Sequence, residues 1–148
     1  MSETAKMQVN YEVIGGDFDR AGEASSSIKR LLQKIGVAAD IVRRIAIGTY
    51  EAEMNIIIHA GGGQIRAEIS PTSTVVIITD QGPGISNIDL AMQEGWSTAP
   101  DYVREMGFGA GMGLPNMMKC SDQFDIVSEL QKGTQITMRF EHVSRDLK

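Results

Sequence analysis

Glu51 and Asn55 stand four positions apart in the run Glu51-Ala52-Glu53-Met54-Asn55. On a helix that spacing puts both side chains on one face. A carboxylate there can act as a general base towards a hydroxyl or a water. An amide oxygen is a hard ligand of the kind Mg²⁺ takes beside waters and nucleotide phosphates. The plain alternative is a solvated polar face. It is weakened by the apolar residues around the pair, Ile47, Ala52, Ile56, Ile57 and Ile58, because polar groups on such a helix need partners. His59, another four residues on, reads as a structural hydrogen-bonding residue, since no Cys/His cluster accompanies it.

Two glycine-rich motifs follow. In Asp80-Gln81-Gly82-Pro83-Gly84 a carboxylate ends an apolar run. Such a carboxylate can accept a hydrogen bond from an exocyclic amine like that of adenine, while Gly82 and Gly84 allow a ligand close approach. The same residues also make good turn chemistry, and the motif alone does not choose between the two. Further on, Gly107, Gly109, Gly111 and Gly113 leave side chains only at alternate positions. Bare N–H groups can wrap phosphate oxygens there, and a helix beginning at the end of the run points its positive end at them. No Lys-Ser/Thr follows, so the run is not a Walker A loop. Arg104 and Lys119 are candidates for phosphate contacts, with plain surface charge as the alternative. Thr134, after Gly133, is a candidate for bonding a base or a bound water, or an ordinary strand residue. Trp96 reads as a local anchor, and the nine methionines as core filler.

These motifs need elements to hold them. Met7, Val9, Tyr11 and Val13 alternate with polar residues as in a half-buried strand. Asp17 is a plausible N-cap for a helix through Phe18, Ala21, Ile28, Leu31, Leu32 and Ile35, with Gly36 just past its end. A second helix is expected from about Ala39 to about His59, stopped by Gly61-Gly62-Gly63. Ile65, Ala67 and Ile69 alternate as a strand. Val75 to Ile78 read as a central strand buried on both faces, delivering Asp80 at its end. A short helix is expected over Ile88–Glu94, a long loop over Gly95–Gly111 and a helix from about Leu114 to Ser121. A last strand pair, Phe124–Val127 and Gln135–Phe140, turns at Lys132-Gly133. The order β-α-α-β-β-loop-α-β-β predicts a two-layer α/β sandwich: a mixed, mostly antiparallel sheet with helices on one face. It is not a Rossmann order.

The bulk numbers agree with one domain over residues 1–148, with a core from about 7 to 141. The chain is 42% hydrophobic and 22% charged, ordinary values for a globular protein. A net charge of −5 argues against general nucleic-acid binding. Cys120 is the single cysteine, so no intrachain disulfide can form, which fits a reducing compartment. No apolar run is long enough to span a bilayer and the first residues carry no apolar leader, so a cytoplasmic protein without membrane contact is expected.

The motifs in this order resemble the GHKL ATPase superfamily, which includes gyrase-type ATPases, heat-shock chaperones, histidine kinases and MutL-type proteins. Glu51–Asn55 resembles its N box, Asp80–Gly84 its first Gly box, Gly107–Gly113 its second, and Gly133-Thr134 its last short motif. Within the superfamily the chain is similar to the small bacterial anti-sigma factor and switch-protein serine kinase family, from about Val9 to Phe140. His59-Ala60-Gly61-Gly62-Gly63-Gln64-Ile65, Asp80–Ile85 and Gly95-Trp96-Ser97-Thr98 look most like the serine kinases of stress-response partner-switching modules. One departure is the stretch Ala99–Met106, longer than the lid of the shortest such kinases.

The resemblance implies a Bergerat-type ATP-binding fold with ATP and Mg²⁺ as cofactors. Glu51 would be the general base and Asn55 the Mg²⁺ ligand. Asp80 would read adenine beside Gly82 and Gly84, and the glycines from 107 to 113 would close over the phosphates. The implied activity is a protein serine/threonine kinase acting on a small STAS-type antagonist. A second reading is an anti-sigma factor that sequesters a sigma factor under nucleotide control. A third is a nucleotide-binding protein without transfer, or a detached histidine-kinase catalytic domain. Whether the chain works as a monomer or a homodimer stays open.

Overall fold

The structure, a computed structural model, describes residues 7–82 and 113–143. Strand β1 spans Met7–Ile14. A single 3₁₀ turn, Phe18–Arg20, leads to α1, Glu23–Lys34. Helix α2 runs over Ala39–His59, followed by β2, Gly62–Ile69, and β3, Ser73–Asp80. After residue 113 come α3, Gly113–Cys120, then β4, Gln123–Glu129, and β5, Gly133–Glu141. The expected short helix at 88–94 and the loop at 95–111 lie outside the described residues.

The strands form one sheet in the order β1-β2-β3-β5-β4. All four pairings are antiparallel, so the expected mostly antiparallel sheet is fully so among the described residues. Side chains alternate across it. Ile65, Ala67 and Ile69 are buried while Gln64, Arg66 and Glu68 between them are not. The apolar face meets the helices, and α2 touches β1, β2, β3 and β5. Ile28, Leu32, Ile41, Ile45, Ile56, Ile65, Ile78, Met138 and Phe140 form the sealed interior of this two-layer sandwich.

Three local expectations change. The first helix starts at Glu23, not after Asp17, whose side chain makes no capping bond. The chain first turns at Gly22, where φ is +91°, a conformation that favours glycine. The strand carrying Asp80 is sealed on one face only: Val76 and Ile78 are buried, Val75 and Ile77 half-buried, because the helices cover a single face. Helix α2 ends at His59 as expected, but Gly62 and Gly63 already belong to β2 instead of a plain stop. No helix among the described residues is long and apolar enough to cross a membrane.

Candidate functional site

Helix α2 is the spine of the site. Its sequence buries one stripe (Ile41, Ile45, Ala52, Ile56) against the sheet and so turns Glu51 and Asn55 towards α3. Both are half-buried. Helix α3 lies antiparallel along them and meets α2 at three levels. Gly113 faces Asn55, where an added Cβ would come within 3.1 Å of the amide oxygen. Asn116 donates from Nδ2 to Glu51 Oε2 at 2.9 Å. At the far end Arg44 Nη1 donates to the Cys120 carbonyl at 3.0 Å and lies 3.6 Å from Asp122 Oδ1. Any side chain at 113 would push on the Asn55 head group. The last glycine of the alternating run therefore lets α3 approach the Asn55 head group closely.

Asp80 sits where three segments converge. Its Oδ1 accepts the N–H of Gly82 at 2.9 Å and the N–H of Thr134 at 3.3 Å. Both bonds fall on one oxygen, which leaves Oδ2 unclaimed among the described residues. Thr134 lies opposite Asp80 in the β3–β5 register. Gly133, at φ +115°, presses against the Asp80 carbonyl so closely that a Cβ would collide with it. A Cβ at Gly82 would reach 2.9 Å from that of Ala60 and 3.2 Å from Asp80 Oδ1. The end of α2, the end of β3 and the start of β5 thus meet backbone to backbone around one carboxylate. His59 stands at this corner. Desolvation holds its imidazole below the usual pKa, and the Asp80 charge pulls the other way.

Among the described sequence candidates, all but Lys119 fall into two clusters. Glu51, Asn55 and Gly113 come together at the α2–α3 contact, and Asp80, Gly82 and Thr134 at the β3 corner. The Thr134 hydroxyl already shares a 2.8 Å hydrogen bond with Ser128 Oγ, so its backbone N–H is what reaches Asp80. Lys119 is exposed in the last turn of α3, about 9 Å along the axis from Gly113 at 1.5 Å per residue. Gly84, Gly107, Gly109, Gly111 and Arg104 lie outside the described residues, as does Trp96.

Two side chains escaped the sequence reading. Asn116 is 65 residues from Glu51, so no local spacing announces the pair. Glu53 lies inside the first motif yet points away from Glu51, since positions two apart do not share a helix face. It is 2% exposed, and its two oxygens accept the N–H groups of Ala24 at 3.1 Å and Ser25 at 3.2 Å. Glu53 therefore caps α1 from another helix, the role that Asp17 does not fill. Tyr50, packed on Gly22, has its phenol pKa raised by burial first and then by the charges of Glu51 and Glu53. For a metal, the donor set is one amide oxygen beside one carboxylate on α2, and no group of three or more His, Cys, Asp or Glu side chains converges among the described residues. That set suits a hard cation that keeps its waters and shares phosphate oxygens, not a dedicated protein cage.

Comparison with known proteins places this architecture. Residues 16–140 match the family described as histidine kinase-like ATPase domain. An anti-sigma F factor of Clostridium kluyveri is 31% identical over 121 residues, covering 78% of this chain and 82% of that protein. The serine/threonine-protein kinase RsbT of Bacillus subtilis is 31% identical over 112 residues, covering 73% of this chain and 78% of the kinase. The crystal structure of the RsbU and RsbW domains of Rv1364c from Mycobacterium tuberculosis superposes with a TM-score of 0.61 at 13% identity. That match takes in 90% of this chain and 32% of the larger one, about a third of its length, and it shows the fold alone. With the family matched across most of its length, the chain belongs to the histidine kinase-like ATPase family, among relatives named as anti-sigma F factors and RsbT-type serine kinases.

Proposed function

We propose that the chain is an ATP- and Mg²⁺-dependent protein serine/threonine kinase that phosphorylates a small STAS-type antagonist protein in a partner-switching module. The observation that carries this reading is Glu51: a half-buried carboxylate, four residues from Asn55 on one helix face and held by Asn116 at 2.9 Å. A protein that only bound nucleotide would need Asp80 and the glycines but not this carboxylate.

In this reading Asp80 Oδ2 accepts the adenine amine, while Oδ1 stays committed to Gly82 and Thr134. The Asn55 amide oxygen would hold Mg²⁺, which when bound neutralises charge on the phosphates. The glycines up to Gly113 offer N–H groups to the same phosphates. Glu51 takes the proton of the incoming seryl hydroxyl. The seryl oxygen forms a bond to the γ-phosphorus as the bond to the ADP oxygen breaks, and ADP leaves. Little covalent work falls to the protein, whose contribution is positioning. The RsbT relative supports the kinase reading by its name.

The test incubates labelled ATP with purified STAS-domain proteins of the source organism and compares wild type with Glu51→Ala. The variant is expected to lose at least about a hundredfold in transfer rate, the size of a general-base contribution. Equal transfer by both proteins would sink the base assignment. The anti-sigma F relative favours a second role, sequestration of a sigma factor under nucleotide control. Capture of a purified sigma factor by the immobilised chain, with and without ADP, separates the two roles.

A further inference from the structure

We infer that Asn116 is a positioning residue for Glu51, fixing the orientation of the base and making it depend on the docking of α3. The inference rests on the kinase reading above and adds to it a residue that the catalytic motifs do not contain.

The geometry has three parts. Asn116 Nδ2 donates to Oε2 of Glu51 at 2.9 Å in a half-buried setting. A glutamate on a helix surface has several open rotamers, and a fixed donor selects one of them. The donor is also neutral. A lysine or arginine in its place would form an ion pair with Glu51 and compete with the seryl proton. An amide hydrogen on Oε2 orients the carboxylate and leaves Oε1 to receive the proton.

The donor itself is held in place. Asn116 follows Gly113 by three residues, and Gly113 rests on Asn55. At the other end Arg44 bonds the Cys120 carbonyl and pairs with Asp122, whose Oδ2 accepts the Glu141 N–H at 2.8 Å. Helix α3 is thereby fixed at both ends, with Asn116 between them. The base is correctly presented only while the helix that begins at the last glycine of the alternating run lies against α2. An ordinary interhelical bond would contribute stability alone. Here the acceptor is the proposed base, so removing the donor should act on the chemical step.

The experiment uses the full chain, Mg-ATP and a STAS-domain protein that the wild type phosphorylates. Asn116→Asp keeps the shape of the side chain but replaces the donor with a second carboxylate facing Glu51. Asn116→Leu removes the donor without adding charge. Both are expected to lower kcat about ten- to hundredfold, as loss of a hydrogen bond to a charged group would, with the larger loss in Asn116→Asp. The dissociation constant for ATP should stay within about twofold of wild type, because the lost bond touches Glu51 and not the nucleotide. Wild-type kcat in Asn116→Asp would overturn the inference, as would a loss of ATP affinity in Asn116→Leu equal to its loss of rate. A wild type that phosphorylates none of the STAS proteins overturns the kinase reading itself, an outcome distinct from an active wild type with unaffected variants.

Discussion

Glu51 and Glu53 show how two carboxylates on one turn of one helix come to do different work. Glu51 faces α3, is half-buried and keeps one oxygen free of the Asn116 bond. Glu53 faces α1, is almost sealed and spends both oxygens on backbone N–H groups. An N–H pair at a helix start is a good site for an anion, because the orphan donors and the helix dipole both favour negative charge. Replacing Glu53 leaves those two donors facing a small void. Glu53→Ala is therefore expected to destabilise the fold by about 2–4 kcal/mol, the sum of a lost cap and unsatisfied buried N–H groups. Urea denaturation checks this, and a loss under about 0.5 kcal/mol would mean that α1 recaps itself or that water takes over.

Among the elements, α2 sits closest to the sheet, and Gly48 explains how. A Cβ there would come 3.2 Å from Met138 Sδ and 3.4 Å from Phe140 Cζ, both on β5. Alanine gains about 1 kcal/mol of helix propensity over glycine and asks the end of a flexible methionine to move a few tenths of an ångström. Gly48→Ala should accordingly be close to neutral, whereas Gly48→Leu should cost about 1–3 kcal/mol or more by overpacking. Thermal unfolding of the two variants tests the contrast, and a tolerated leucine would show that α2 can lift from β5. The elements were also the most legible part of the sequence. A period of two placed β1 and β2, a continuous apolar run placed β3, the turn at Lys132-Gly133 placed the last strand pair, and helical spacing placed both long helices. The order of motifs likewise brought Glu51, Asn55 and Asp80 to light, since each lies in a short run of its own. What periodicity did not carry was contact between distant segments. Asn116 meets Glu51 across 65 residues, and Glu53 caps a helix 28 and 29 residues earlier. The Asp17 expectation failed for a related reason. A good capping residue was present, but the chain needed the left-handed turn at Gly22 before a helix could start.

At the scale of the whole molecule, the candidate site belongs to no single segment. Its parts come from α2, the end of β3, the start of α3 and the start of β5. A nucleotide that touches Asp80 at one end and the Asn55–Gly113 contact at the other would bridge the two halves of the fold, and the unfolded chain offers it nothing comparable. Ligand binding to the folded state alone adds RT ln(1 + [L]/Kd), about 2.7 kcal/mol at a hundredfold excess over Kd. For a chain of this length that is roughly a 5–10 °C rise in Tm. Mg-ATP or Mg-ADP is expected to produce such a rise in the wild type and in Glu51→Ala, whose lesion spares binding. Asp80→Asn should lose most of it. The new amide keeps an oxygen for Gly82 and Thr134 but turns an NH₂ group towards the adenine amine, so two donors face each other. No shift at millimolar nucleotide in the wild type would remove the ligand from the whole account. A full shift in Asp80→Asn would move base recognition to another residue.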